Sequence, residues 1–287
     1  MDPLQLVRLP QLMSRTEGRR ELAVALIDGP VALDLPDLSQ STIKEIPAEA
    51  RGSCSRLDSL ACMHGTFVAG MLAARRGSPA PAICPGCTLL LRPIFPENSN
   101  GNGQMPSATP EELATAITDA IGAGANVINL SAALAQPSSR GERELEQALD
   151  YAAQRGVLVV AAAGNQGTVG SSAITRHPWV IPVTASDLQG RPTAGSNLGS
   201  SIGRRGLAAA GENITSLGTD GKPGTFDGTS AAAPFVTGAI ALLWSEFPSA
   251  SATRIKLAIT QAGSASRRRI APPLLDAWAA YQAMSLN

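Results

Sequence analysis

The chain of 287 residues contains four polar side chains of the types that acyl transfer requires, each at the edge of an apolar segment. They are Asp28 at the end of ELAVALID, His64 at the start of HGTFVAG, Asn165 in AAAGNQG and Ser230 in FDGTSAAAP. A serine hydroxyl becomes a nucleophile when a histidine accepts its proton and a carboxylate orients that histidine. An asparagine amide can donate a hydrogen bond to the oxyanion on an attacked carbonyl. Together these residue types indicate nucleophilic catalysis on a carbonyl group.

Each of these residues also has a structural alternative. An Asp after a strand usually caps a turn, and a single His at a helix start is more often structural than catalytic. Asn in a Gly-flanked turn is common because it tolerates positive φ. Thr229 or Ser230 can be an ordinary helix N-cap. The second histidine, His177, is interpreted as a loop residue. The prediction of catalysis therefore depends on the combination.

The neighbours of Ser230 favour the catalytic interpretation. Gly228 before the serine and Ala231–Ala233 after it leave space around the hydroxyl. At a helix N-terminus, the backbone N–H of Ser230 points toward an anion, as an oxyanion hole requires. We expect Pro234 in the first turn, where its missing N–H costs little. The apolar residues that follow are predicted to form a buried helix that fixes the serine in place.

The elements that must position these residues alternate along the chain. Short apolar runs without polar alternation are typical of parallel strands covered on both faces. Pro110 followed by two glutamates is typical of a helix start. The predicted strands are 21–28, 88–95, 125–131, 156–164 and 179–186, and the predicted helices are 64–76, 110–124, 142–156 and three segments after residue 229. This order predicts a doubly wound α/β sheet, in which sites form at the carboxyl ends of strands.

Composition excludes several classes of function. Lys plus Arg and Asp plus Glu each number 23, so no net field attracts nucleic acid or an anionic membrane. The basic run Arg267–Arg269 is interpreted as a solvated loop. The first residues, 1–20, lack the apolar core of a secretory signal, and no apolar run is long enough to span a membrane. We therefore predict a cytoplasmic protein with neither nucleic acid nor a membrane as partner.

The four cysteines allow several structural roles. They are Cys54, Cys62, Cys84 and Cys87, spaced as C-x7-C and C-x2-C. Two C-x2-C pairs would indicate zinc, but the first pair lacks that spacing and no free histidine is near. Disulfides, a metal site and four reduced thiols stay open, with disulfides slightly favoured over zinc. A cytoplasmic location argues against disulfides.

Five motifs carry a family resemblance: ALIDG, HGTFVAG, VINLS, AAAGNQG and GTSAAAPFVTGAIALL. Over residues 20–250 the chain resembles the subtilisin-like serine proteases, the subtilases of peptidase family S8, and the order Asp, His, Ser is that of subtilisin. The resemblance implies a three-layer α/β sandwich with about seven mostly parallel strands and helices on both faces. It implies peptide hydrolysis through an acyl-enzyme, with Ser230 as nucleophile, His64 as general base and then acid, and Asp28 orienting His64. Asn165 and the Ser230 N–H would form the oxyanion hole.

The resemblance also implies where a peptide substrate binds. The peptide would lie extended between NGNGQ (100–104) and LSAA (130–133), held by main-chain hydrogen bonds as an added strand. The expected substrate-binding residues are Gly101, Gly103, Met105, Ser131, Ala132, Ala133 and Gly164. No cofactor is required, and although calcium is common in the family, no compact carboxylate cluster locates a site in this sequence.

The chain departs from the family pattern at three positions. The usual Asp-Ser/Thr-Gly is Asp28-Gly29-Pro30, which removes a hydrogen bond near the carboxylate. The usual second histidine of the His motif is Phe67, and SAAL (131–134) replaces SLGG in the wall of the main pocket. These departures leave an alternative open, namely a catalytically weak or inactive subtilase-like protein that binds peptides without cutting them.

The segment ACMHGTFVAGMLAARRGSPAPAICPGC resembles one branch more closely, the cyanobactin-type proteases that mature ribosomally made peptides. In that branch the protease removes a leader from a precursor peptide, whereas a related group macrocyclises and carries a helical insertion between the Asp and the His. The interval from Asp28 to His64 leaves little room for such an insertion, which favours hydrolysis. We therefore predict a serine endopeptidase acting on a precursor peptide. Its single domain spans 1–287, with an N-terminal extension (1–20) and a C-terminal helix region (264–287).

Overall fold

A central parallel sheet organises the chain. The computed structural model describes residues 2–48, 53–97, 108–131, 142–262 and 270–286. Its strands are β1 (Ala23–Asp28), β2 (Thr42–Glu45), β3 (Thr88–Pro93), β4 (Val127–Leu130), β5 (Leu158–Ala162), β6 (Val180–Ser186), β7 (Leu207–Ala210), β8 (Ile214–Leu217) and β9 (Pro223–Phe226). The first seven form one sheet in the order β2-β3-β1-β4-β5-β6-β7, and β8 and β9 form a separate antiparallel hairpin. Every neighbouring pair in the large sheet is parallel, so the predicted α/β class is confirmed.

Helices cover both faces of this sheet. They are α1 (Pro3–Leu6), α2 (Leu9–Met13), α3 (Leu60–Ala73), α4 (Pro110–Gly122), α5 (Glu142–Arg155), α6 (Ala173–Arg176), α7 (Ser200–Arg205), α8 (Thr229–Glu246), α9 (Ala252–Gln261) and α10 (Ala277–Ser285), with a 3-10 turn at Pro36–Leu38. Pro110 begins α4 behind Thr109, whose side chain and that of Glu112 form a reciprocal capping box, as the sequence predicts. None of the helices in these ranges is both long and apolar enough to cross a bilayer.

The apolar side chains form two cores, one on each face of the sheet. Within β1, Val24 and Leu26 pack into the core that includes α3 and α8, while Ala25 and Ile27 pack into the core of α4 and α5. This alternation follows from the period of two in a strand, and because both faces are covered the strand reads as a continuous apolar run. The result is the predicted three-layer sandwich.

Two strands of the sheet have no clear signal in the sequence. Three of the four residues of β7 are alanine, which has a low strand propensity. At the sheet edge, β2 has the sequence TIKE and is half-buried to exposed along its length, so no apolar run marks it. The five predicted strands each contain an observed strand, since buried parallel strands do show such runs.

The helix of His64 begins four residues earlier than predicted. The sequence interpretation has His64 at the helix start, but α3 begins at Leu60, and His64 lies in its second turn. The Ser59 hydroxyl accepts a hydrogen bond from the Cys62 N–H at 3.1 Å and caps the helix. The cap is a serine without an acidic residue in the following turn, a weak sequence signal.

Candidate active site

The carboxyl ends of three neighbouring strands bring polar residues to one edge of the sheet. β1, β4 and β5 are adjacent, and their ends lead into Asp28, Ser131 and the turn 163–168. This convergence is the general property of parallel sheets from which the site was predicted. α8 packs across β4, β5, β6 and β7 and places its N-terminus at the same edge.

Three of the predicted residues form one hydrogen-bonded line. His64 Nδ1 lies 2.7 Å from Asp28 Oδ1, and His64 Nε2 lies 2.9 Å from Ser230 Oγ. Exposure is 0% at Asp28, 2% at His64 and 9% at Ser230, so only the serine end of the line reaches solvent. The carboxylate can only accept, which places the imidazole proton on Nδ1 and leaves Nε2 free to accept from the hydroxyl.

The surroundings of Asp28 differ between its two oxygens. Oδ1 accepts hydrogen bonds from the Gly29 N–H at 2.7 Å and from His64, whereas Oδ2 is buried without a partner among the described residues. A Cβ atom at Gly29 would lie 2.0 Å from the Ala61 carbonyl oxygen, so a serine or threonine does not fit there. The sequence Asp28-Gly29-Pro30 is predicted to lack a side-chain hydrogen bond near the carboxylate. At this position the main chains of Gly29 and Ala61 are too close for a larger residue.

The N-terminus of α8 presents Ser230 with its backbone donor unpaired. Gly228 precedes the helix at φ 103°, a value that L side chains rarely adopt. The N–H groups of Ala231 and Ala232 both donate to the Gly228 carbonyl, while the Ser230 N–H has no acceptor among the described residues. At a helix N-terminus such a donor faces negative charge favourably.

Pro234 lies deeper in α8 than the sequence interpretation has it. The helix begins at Thr229, so the proline is its sixth residue and lies inside the helix, past the first turn. Its ring cannot donate to the carbonyl of Ser230, four residues before it. The turn that carries the nucleophile candidate therefore has one helical hydrogen bond fewer than the turns that follow.

Asn165 is held by the residue next to Ser230. Its Oδ1 accepts from the Thr229 N–H at 2.9 Å and from the Thr229 hydroxyl at 3.1 Å. A backbone N–H can only donate, so this contact identifies the amide oxygen and leaves Nδ2 as a donor with no acceptor in the part of the chain that the structure describes. The positive φ values of this turn belong to Gly164 and Gly167 rather than to Asn165. Tolerance of positive φ therefore does not explain the asparagine.

An aromatic contact to His64 was missed by the sequence interpretation. The ring of Phe226 meets the imidazole edge to face, with centroids 5.3 Å apart and an interplanar angle of 89°. Phe67 packs against Phe226 at 5.0 Å and is completely buried. Phe226 lies two residues before Gly228, in the quoted motif, but nothing in a linear sequence shows which ring a phenylalanine contacts.

Most of the predicted substrate-binding residues lie outside the described residues, namely Gly101, Gly103, Met105, Ala132 and Ala133. Ser131 and Gly164 lie within them. The Ser131 hydroxyl accepts from Asn129 Nδ2 at 2.9 Å, and Asn129 Oδ1 in turn accepts from Thr237 of α8 at 2.8 Å. Gly164 donates its N–H to the Thr229 hydroxyl at 3.1 Å. Gly164 thus contacts α8 directly, and Ser131 is linked to α8 through Asn129.

The cysteines separate into a bonded pair and a free pair. Cys54 and Cys62 form a disulfide, and Cys62 lies in the first turn of α3, two residues before His64. Cys84 and Cys87 are buried free thiols. The hydrogen bond with Cys87 and burial raise the pKa of the Cys84 thiol well above its ordinary value, so Cys84 stays protonated at neutral pH.

One grouping of metal-binding side chains occurs among the described residues. The sulfurs of Cys54 and Cys62 and a carboxylate oxygen of Glu97 lie within 4.8 Å of one another. Because both sulfurs belong to the disulfide, neither is a thiolate ligand. The Glu97 carboxylate instead accepts hydrogen bonds from the N–H groups of Ser55 and Arg56, both at 2.9 Å. This grouping therefore does not fit zinc.

His177 lies apart from this line, as its interpretation as a loop residue implies. It follows α6, its Nε2 lies 3.1 Å from Asp150 Oδ1, and its Nδ1 accepts from the Trp179 N–H at 3.3 Å. Both ring nitrogens therefore have structural partners, one in α5 and one in the loop that contains His177.

An α/β sheet with an Asp-His-Ser line at its carboxyl edge is the arrangement of serine hydrolases that use a catalytic triad. The chain belongs to the subtilase family, whose model matches residues 19–272. The family prediction made from the five motifs is thus confirmed. A thermostable alkaline protease of Halalkalibacterium halodurans is 33% identical over 199 residues, which cover 69% of this chain and 51% of that protein. The chain spans about half the length of this relative.

Two solved structures are similar over nearly the whole chain. A variant of the protease domain of PatA has a TM-score of 0.84 at 30% identity, covering 93% of this chain and 96% of that chain. The prenylagaramide maturation protease PagA has a TM-score of 0.84 at 28% identity, covering 96% of this chain and 97% of that chain. The predicted likeness to peptide-maturation proteases is therefore confirmed.

Proposed function

We propose that this chain is a serine endopeptidase that hydrolyses peptide bonds through an acyl-enzyme. The observation that carries the proposal is the line from Asp28 through His64 to Ser230, with 2.7 and 2.9 Å between the bonded atoms. Family membership supports it. The line already has the hydrogen bonds that proton transfer needs, and the serine end is the one open to solvent.

In the first half of the reaction, Ser230 Oγ bonds to the carbonyl carbon of the substrate while His64 Nε2 takes the hydroxyl proton. The carbonyl oxygen becomes an anion that accepts from Asn165 Nδ2 and the Ser230 N–H. Asp28 stabilises the imidazolium. His64 then gives its proton to the amide nitrogen as the C–N bond breaks, which leaves an acyl group on Ser230.

In the second half, a water molecule attacks the acyl carbon. His64 Nε2 accepts a proton from the water and returns it to Ser230 Oγ when the ester bond breaks. The product is a free carboxylate, and the enzyme is restored. No metal or cofactor takes part in these steps, and calcium, if it binds, would support the fold instead of the chemistry.

We propose a precursor peptide as the substrate, with cleavage between its leader and the mature segment. The support is the similarity to PatA and to PagA, a maturation protease by its title, over nearly the whole length of both chains. Cleavage by hydrolysis is proposed over macrocyclisation. In the described part of the Asp28–His64 interval, the elements before α3 are a 3-10 turn and the strand β2, without an additional helix.

The proposal is tested with a leader-containing precursor peptide and mass spectrometry. Wild-type enzyme should give linear fragments, each pair heavier than the precursor by one water, whereas a macrocycle would lack that water. Ser230→Ala should fold normally and lose about 10⁵- to 10⁶-fold in kcat. Ser245→Ala is the matched control, because it removes a hydroxyl from the same helix that bonds to the Ala241 carbonyl and to the buried Cys87 thiol, and not to His64.

Two outcomes would contradict the proposal. Cleavage retained by Ser230→Ala would exclude this serine as the nucleophile. A wild type that binds the peptide without cutting it would favour the peptide-binding alternative.

The cytoplasmic location stays a prediction that cell fractionation tests, and the Cys54–Cys62 disulfide is more typical of an oxidising compartment. Activity unchanged by a calcium chelator is the expected result for the cofactor prediction.

A further inference from the structure

The side chain of Asn197 makes several hydrogen bonds to the turn 163–168, which carries Asn165. Asn197 lies between β6 and α7, and its Oδ1 accepts from the N–H groups of Gln166 at 3.0 Å and Thr168 at 3.1 Å. Its Nδ2 donates to the Ala163 carbonyl at 3.2 Å. The same side chain therefore bonds to the main chain on both sides of Asn165.

Asn197 makes three further hydrogen bonds to the same turn. The backbone N–H of Asn197 donates to the Gly164 carbonyl at 2.9 Å, and its Nδ2 also lies 2.6 Å from Gln166 Oε1. The Thr168 hydroxyl donates to Asn197 Oδ1 at 3.1 Å. Together with the Thr229 contacts and with main-chain bonds to Gly195 and Leu198, these bonds fix the main chain that orients the Asn165 amide. A preorganised donor is effective because it needs no reorganisation when the anion forms.

We infer that Asn197 is a positioning residue for the oxyanion hole, and that it acts on catalysis only through Asn165. The inference rests on the proposed function, in which Asn165 Nδ2 donates to the oxyanion. Asn197 touches neither Asp28, His64 nor Ser230 through any bond of its side chain. Removal of the Asn197 side chain should therefore make the orientation of Asn165 Nδ2 less fixed. The hydrogen bonds among Asp28, His64 and Ser230 should stay intact.

A double-mutant cycle on kcat separates this role from a general effect on the fold. Asn197→Ala should lower kcat by about 10- to 100-fold, less than the roughly 10²- to 10³-fold expected for removing an oxyanion donor in Asn165→Ala. KM should stay nearly constant, because the lost interaction forms only in the transition state. In the Asn165→Ala background, adding Asn197→Ala should change kcat by less than about twofold.

Asn126→Ala is the matched control. It also removes a side-chain acceptor from a main-chain N–H, that of Ala23 at 2.8 Å, but at the amino ends of β1 and β4, away from the site. It should lower the unfolding midpoint without lowering kcat. If Asn197→Ala is too unstable to assay, Asn197→Asp keeps an oxygen acceptor for Gln166 and Thr168, removes the donor to Ala163, and should follow the same cycle.

The outcomes distinguish the two proposals. An unchanged kcat in Asn165→Ala would overturn the oxyanion role of Asn165 itself. If Asn165→Ala lowers kcat but Asn197→Ala lowers it equally in both backgrounds, Asn197 acts independently of Asn165, and this inference alone is wrong. A kcat loss in Asn126→Ala as large as that in Asn197→Ala would likewise show that the effect is a general one on stability.

Discussion

A Cβ atom on Gly65 would lie 2.4 Å from the carbonyl oxygen of Gly29, so the chain after Asp28 and the helix of His64 meet main chain to main chain. Gly29 makes the reciprocal close approach, to the Ala61 carbonyl. Because no side chain separates the two segments, the 2.7 Å distance between His64 and Asp28 depends on backbone packing.

Gly29→Ser, which installs a residue usual in the family, should therefore disrupt the site instead of tuning it. Its Cβ would require a shift of α3 or of the strand end, and overpacking of this kind costs about 1–3 kcal/mol. Denaturant unfolding and kcat measure the two effects. The control is Gly122→Ala, where a Cβ meets open space and the stability should change by less than about 1 kcal/mol. A Gly29→Ser enzyme with wild-type stability and activity would refute the argument.

Asp28→Asn should fold and lose most of its activity. The amide can still accept from the Gly29 N–H, but it favours the wrong tautomer of His64, and we expect kcat to fall by about 10³- to 10⁴-fold. Asp150→Asn is a matched control, since Asp150 makes the corresponding contact to His177 at 3.1 Å. Peptide-cleavage assays of both variants check the prediction. Equal activities would show that the Asp28 carboxylate is dispensable.

Phe67→His, which restores the usual histidine of the motif, should destabilise the protein. Phe67 is completely buried against Phe226, and a histidine there would bury ring nitrogens without evident partners. The expected loss is about 1–3 kcal/mol. Phe67→Leu keeps an apolar side chain and isolates the effect of polarity from that of lost ring volume. Thermal unfolding of the two variants decides, and a histidine variant as stable as the leucine variant would contradict the prediction.

Removal of the Cys54–Cys62 disulfide should loosen the start of α3. The bridge joins positions eight apart in sequence, and a loop of this size corresponds to about 2–3 kcal/mol in the chain-entropy account. The variant carrying Cys54→Ser and Cys62→Ala should unfold at lower temperature than the wild type. Dithiothreitol should lower the wild-type midpoint toward that of the variant and leave the variant unchanged. A wild type insensitive to the reductant despite verified reduction would contradict this account.

Asp28 and Ser230 could be predicted as parts of one candidate site because a strand end and a helix start mark them, and a parallel sheet gathers such positions, whereas His64 was identified by its motif. Ser230 is the clearest example, since small residues surround it on both sides. The same local patterns misplaced Pro234 by assigning it to the first turn, and they started the helix of His64 too late. Element boundaries depend on caps such as Ser59, whose effect on a helix start is weak in sequence.

Contacts between distant segments left no comparable signal. Asn197 is an ordinary polar loop residue in sequence, yet it bonds to a turn about thirty positions earlier. Phe226 contacts the ring of His64 from the end of β9. Such pairs are set by how the layers pack, and a single sequence contains no pattern of period 2 or 3.6 that reports them.

The order Thr229-Ser230 has one more consequence. Thr229 holds the amide of Asn165, and the next residue carries the hydroxyl and the second N–H donor. A small displacement of the N-terminus of α8 would then move the Ser230 hydroxyl and N–H together with the Asn165 amide, because Thr229 and Ser230 are adjacent residues. The relative positions of the Ser230 hydroxyl, the Ser230 N–H and the Asn165 amide would then change little, because all three move with one end of α8.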